Sequence, residues 1–176
     1  MLIGAVLIGL AWAARDVPPV GSVPAAPPSL PPHTQAPAGD RPTDWWAVLS
    51  ELDALRSSAF AECDERLLER VYAPGSAAFN ADRSRLAELS AVGASASGLR
   101  LTLLDVTEDK DLSASDGRVV LSVVDELPDY TLVGPDGVEQ HRTGRGRATW
   151  LVTLQEVEEG QWRIADIRSG ERSGNA

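Results

Sequence analysis

Nine of the twelve prolines in this chain fall between Arg15 and Asp44. A stretch holding Pro18-Pro19, Pro27-Pro28 and Pro31-Pro32 cannot sustain a helix or a sheet ladder, because proline lacks the N–H that both require. It favours polyproline II, and on a rise of about 3.1 Å per residue it reaches at most about 90 Å. Residues 15–43 therefore read as a disordered, semi-rigid linker, and any folded domain must follow it.

Before the linker, Leu2–Ala14 is an unbroken apolar run. As a helix it extends about 20 Å, short of the roughly 30 Å of a bilayer core. It fits the apolar region of an export signal, about 7–15 residues, and Ala11-Trp12-Ala13 has the small-x-small form of a cleavage site. The basic residues expected ahead of such a segment are missing, which suggests an upstream start and a longer anchor helix. Two readings stay open for residues 1–14: a membrane anchor or a cleaved signal peptide. Either predicts an extracytoplasmic domain at the cell membrane, or a secreted one.

The net charge of −10 and the pI near 4.6 repel phosphate backbones, so nucleic acid is excluded as a partner. Lys110 is the sole lysine among sixteen basic residues. With much Ala, Gly and Pro, this reads as the codon bias of a GC-rich genome such as an actinobacterial one. Cys63 is the single cysteine, so no internal disulfide forms, and it is expected as a small buried hydrophobe on a helix stripe.

Residues 44–168 suffice for one ordinary domain, with 169–176 as a disordered tail. Trp45, Val48, Leu49, Leu52, Leu55, Ala59, Phe60 and Cys63 follow helical spacing and predict a helix over Trp45–Cys63, capped by Thr43 or Asp44. Asp64 caps a second helix carrying Leu67, Leu68, Val71 and Tyr72, stopped by Pro74-Gly75. A third is expected over Asp82–Ala91, with Gly93 as its stop. The period then changes from helical to two. Leu99, Leu101 and Leu103 alternate with polar residues. Arg118–Asp125 follows with Val119, Leu121 and Val123 on one face, and its second apolar face makes it a central strand. Tyr130–Val133 leads to a turn at Pro135-Asp136-Gly137. A long strand spans about Arg145–Val157, and Glu159-Gly160 turns into Trp162–Ile167. The fold class is α+β: three N-terminal helices packed on a curved four-stranded antiparallel sheet.

These residues resemble the NTF2-like (SnoaL-like) superfamily. The resemblance rests on the opening helix with Trp45, Trp46 and Phe60, on the Tyr72-x-Pro-Gly turn, and on the hairpin leading into Gln161-Trp162-Arg163-Ile164. It covers about Asp44–Arg168 and implies a cone-shaped fold. The tripartite layout also resembles actinobacterial envelope proteins. Enzymes of this superfamily commonly set an Asp or His base opposite a Tyr, Asp or His within the cone, and members often dimerise through the outer sheet face.

Little in the chain answers to that chemistry. His33 lies in the linker, and His141 is expected at an exposed turn. Asp125 and Tyr130 are the remaining acid/base candidates, with Asp125 otherwise expected at an exposed bend. Asp109-Lys110-Asp111-Leu112-Ser113 starts like a calcium loop, but Ala114 and Val120 stand where Gly and Glu are needed. Glu108–Asp116 is thus a solvated acidic loop. Gly144-Arg145-Gly146 lacks the third glycine and the following helix of a phosphate cradle, and is expected to kink a strand or mark a bulge. Ser76 is expected to cap a helix. No metal or cofactor is implied.

Trp46, Phe60, Tyr72, Asp125, Tyr130 and Trp150 are the candidate lining of a small pocket. The leading expectation is a non-catalytic envelope accessory that binds another envelope protein or self-associates through its sheet face. The alternative is a small-molecule binder, or an isomerase- or dehydratase-like protein, using the cone.

Overall fold

A computed structural model describes residues 43–113 and 117–170 of the protein. The apolar N-terminal run, the linker and Ala114–Asp116 of the acidic loop lie outside the described residues. Among those described, no helix is long and apolar enough to cross a membrane.

Helix α1 (Trp45–Glu62) begins where the Asp44 carboxylate accepts the Ala47 N–H at 3.1 Å. It buries Leu49, Leu52, Ala59 and Phe60, the stripe expected from spacing. Cys63 is not the buried hydrophobe expected. It is half-buried and takes the left-handed conformation that ends the helix, φ 54°, with its Sγ on the Ala94 carbonyl. Helix α2 (Glu65–Val71) is capped by Asp64, which accepts the Arg66 N–H. Helix α3 (Ala77–Ala91) starts a turn and a half earlier than expected. The alanines at 77, 78 and 81 carry too little apolar signal to show periodicity, yet they favour helix intrinsically. Ser76 stands at its N-cap, but the buried Oγ makes no cap hydrogen bond.

The four-stranded antiparallel sheet has the order β2 (Thr102–Glu108), β3 (Arg118–Leu127), β6 (Arg145–Glu158), β7 (Gln161–Ser169). Strand β3 is central, as its two apolar faces require. A three-stranded sheet not expected from the sequence joins β1 (Ser95–Ser97), β4 (Tyr130–Val133) and β5 (Glu139–Arg142). Tyr130–Val133 and the turn after it were expected, but not their separation into a second sheet with β1. Gly98, at φ 78°, follows the end of β1 and precedes the apolar run Leu99–Leu103; Leu99 is buried outside any strand, and β2 begins only at Thr102. Strand β7 runs on to Ser169, and Gly170 donates to the Thr149 carbonyl, so the ordered domain passes the expected limit at 168.

The core lies between the helices and the concave face of the four-stranded sheet, with Phe60, Leu68, Val71, Leu121 and Leu154 fully buried. Burial of such side chains contributes about 1.5–3 kcal/mol each. Two contacts fix the helices on the sheet. Trp45 meets Trp162 edge-on, centroids 4.9 Å apart, and donates its indole N–H to Glu108. At the end of α2, Ala73 donates to the Ile164 carbonyl at 2.9 Å.

Candidate functional site

A cavity of about 320 Å³ remains between α1, α3 and the sheet. Its walls are mostly aliphatic, with Leu49 and Leu52 from α1, Val123, Val152 and Ile164 from the sheet, and Leu101 and Leu103 beside them. Ala77, Ala78 and Ala81 of α3 form the facing side. Methyl groups there leave unfilled the space that larger side chains would take. Ala77, Ala81 and Ile167 are solvent-exposed, so the cavity opens between α3 and β7.

Three polar groups interrupt this apolar lining. The first is Asp53, 8% exposed, on the same α1 stripe as Leu49 and Leu52. Its Oδ2 accepts the Leu101 N–H at 2.9 Å, while Oδ1 has no partner. Burial pushes its carboxyl up to about 6; Arg56, the Leu101 N–H and Arg100 oppose the rise, and the nearby Asp125 charge adds to it. Such a carboxyl exchanges a proton near neutral pH.

The second is a closed network of Arg56, Tyr72 and Asp82. The Arg56 guanidinium pairs with the Asp82 carboxylate through both Nε and Nη2, and Nε also donates to the Tyr72 hydroxyl at 3.0 Å. Tyr72 in turn donates to Asp82 Oδ2 at 2.6 Å, and Arg85 adds a bond at 3.1 Å. Burial alone would raise Asp82, but Arg56, the Tyr72 hydroxyl and Arg85 together outweigh it and hold the carboxyl below its ordinary range. Burial also raises the Tyr72 hydroxyl well above that of a free phenol, so it stays protonated. Both its proton and its oxygen are already engaged.

The third is Asp125 with Arg145 and Trp150. Asp125 Oδ1 accepts from Arg145 Nη2 at 2.5 Å and from the Trp150 indole at 3.3 Å. The guanidinium lies over the Trp150 ring, 5.0 Å from its centroid, and its Nε is buried without a partner.

Of the six residues expected to line a pocket, Tyr72, Asp125 and Trp150 do so. Asp125 is 3% exposed, not at an exposed bend, because β3 continues through it to Leu127. The other three lie elsewhere. Trp46 is 45% exposed in the first turn of α1. Phe60 is fully inside the core, under the Arg56 guanidinium. Tyr130 belongs to the three-stranded sheet and packs against the core from there. His141 is exposed in β5.

Asp53, Arg56, Asp82 and Arg145 were not expected. For two of them a signal existed: Asp53 and Arg56 occupy stripe positions of α1, between Leu49 and Phe60, where a charge needs a reason.

No protein-family model matches the chain, and no curated protein sequence does. Among solved structures, it is similar to the intermembrane-space region of the chloroplast protein ARC6, at 18% identity and TM-score 0.47, over 74% of this chain and 98% of that one. It is also similar to an NTF2-like superfamily protein from Salmonella enterica, at 12% identity and TM-score 0.42, over 72% and 91% of the two chains. A third is a protein from Catenulispora acidiphila in complex with S-DNPA, at 14% identity and TM-score 0.44, over 70% and 90%.

Proposed function

We propose that this is an extracytoplasmic domain that binds a small, mostly apolar molecule in its cone. The observation that carries this reading is the aliphatic cavity of about 320 Å³, open between α3 and β7 and holding a few convergent polar groups. That combination is characteristic of small-molecule sites, whose volumes start at about 300 Å³. The placement outside the cytoplasm is supported by the apolar run and proline-rich linker ahead of the domain. Binding without turnover is the form we favour. Asp53 can exchange a proton, but Tyr72 and Asp125 are both engaged in hydrogen bonds and offer it no second proton carrier.

The test is titration of the chain with toluene, read through the methyl resonances of Val123, Val152 and Ile164. Saturable shifts confined to cavity methyls are expected, and Ala78→Phe, which fills the α3 side, should abolish them. Shifts spread over surface methyls, or none with toluene and none with its polar derivatives, would overturn the reading.

A further inference from the structure

Among the described residues, three buried side-chain polar atoms lack a hydrogen-bond partner: Asp53 Oδ1, Ser76 Oγ and Arg145 Nε. Folded proteins leave few such atoms, and each one asks for an explanation. Two of the three belong to residues that line the same cavity. They are complementary, because an ionised carboxylate only accepts and a guanidinium only donates.

Asp125 ties them together in space. It bonds Arg145 at 2.5 Å, and it lines the same cavity as Asp53. The acceptor and the donor therefore border one cavity, on α1 and on the first residue of β6, with aliphatic walls about them. Neither can satisfy the other, since each is already anchored: Asp53 by the Leu101 N–H, Arg145 by Asp125 and the Trp150 ring.

We propose that the cavity selects molecules with an apolar body and a polar end that carries a hydrogen-bond donor and an acceptor side by side, as a primary amide or a lactam does. The donor faces Asp53 and the acceptor faces Arg145. The inference rests on the small-molecule reading above and narrows it. A hydrocarbon would leave both protein groups unpaired. An ester would satisfy Arg145 alone. A carboxylate would bring a third anion beside Asp53 and Asp125. An ammonium would pair with Asp53 but turn its charge on Arg145. Sites that leave their own polar groups unpaired reject an analogue more strongly than sites that merely lose an apolar contact.

The experiment is calorimetric titration of the full chain at pH 7.5 with benzamide, methyl benzoate, benzoate and toluene. Benzamide should bind at least about tenfold more tightly than the other three, roughly the effect of one satisfied hydrogen bond. In Asp53→Asn, the side-chain oxygen keeps the Leu101 N–H and an amide N–H turns into the cavity. That variant should invert the order, with methyl benzoate and benzoate ahead of benzamide. Equal affinity for toluene and benzamide in the native chain would overturn the proposal while leaving the small-molecule reading intact. An unchanged benzamide preference in the folded Asn variant would also overturn it. Failure of all four probes to bind would remove both readings.

Discussion

Arg145 reaches Asp125 because the register of β3 against β6 slips by one residue between Asp125 and Leu127. Up to Asp125, each β3 residue faces its partner in regular order, and the even-numbered Trp150, Val152 and Leu154 of β6 lie opposite Val123, Leu121 and Val119. Beyond the slip, Leu127 faces Arg145. A one-residue slip exchanges the two faces of a strand. An arginine that strict alternation would send outward is thereby brought into the row of Asp125 and Leu127. The bulge thus builds the ion pair that walls one side of the cavity.

Removing one partner of that pair exposes its cost. Arg145→Met leaves the Asp125 carboxylate, 5% exposed, with only the indole as donor. The expected loss is about 3 kcal/mol or more in denaturant unfolding, as for buried pairs broken from one side. The double variant Arg145→Met/Asp125→Leu should recover a large part of it, because no charge is then left buried. A single variant of native stability would show that the pair is solvated.

Asp53 makes folding stability depend on pH in a definite direction. Its carboxyl is raised from 3.8 to about 6 in the folded chain, so the folded state holds the proton more tightly than the unfolded state. Between pH 4 and pH 6 the folded state binds more protons, and stability falls as pH rises through that window. The loss is complete above pH 6 and amounts to about 3 kcal/mol. Asp53→Asn resembles the neutral acid and escapes it. The variant should therefore match the native chain near pH 4 and exceed it in stability near pH 7.5. Burial is the main cause of the rise; Asp125→Asn removes the smaller contribution of a neighbouring charge, so carboxyl NMR should find Asp53 titrating somewhat lower than in the native chain. A pH-independent difference between Asp53→Asn and native protein would contradict this account.

Gly144 is required by close approach. A Cβ built there would run into the carbonyl oxygens of Leu127 and Pro128, both backbone and unable to step aside. Gly144 also donates to Asp129 at 2.9 Å, which closes the entry into β6. Gly144→Ala should cost about 2 kcal/mol or more, within the overpacking range, and should disturb Arg145 in the next position. Gly146 has open space around it, and Gly146→Ala is the matched control. Equal stabilities of the two variants would refute the argument.

What could be read from the chain alone follows from these particulars. The helices and long strands were legible because Leu49, Leu52 and Phe60, or Leu121 and Val123, repeat at the period of their element. Asp125 was legible to the same rule, since period two carries Leu121 and Val123 on to Asp125 and Leu127. Arg145 was not: Gly144 and Gly146 signalled an irregular strand there, but not which face the arginine between them would take. The cavity was illegible for another reason. It is space left by Ala77, Ala78 and Ala81, and a gap is set by the distance between packed elements. Asp82 became legible only in space, through partners 26 and 10 residues away.

The Arg56–Tyr72–Asp82 network supports the packing of α1 on α3 and shapes the cavity wall between them. Its parts should differ in weight. Tyr72→Phe removes one hydroxyl that gives a bond to Asp82 and takes one from Arg56, so about 1–2 kcal/mol is expected. Asp82→Asn strips the charge that balances Arg56 in a buried site, so about 3 kcal/mol or more is expected. The pH dependence also has the opposite sign to that of Asp53. Asp82 is held below its ordinary value in the folded chain, so its contribution is present above pH 4 and is lost as pH falls through the folded value. Acid unfolding should therefore begin below pH 4 in the native chain, and Asp82→Asn should flatten that limb of the curve. A steep acid limb retained in Asp82→Asn would assign acid unfolding to other carboxylates and leave the network a matter of packing.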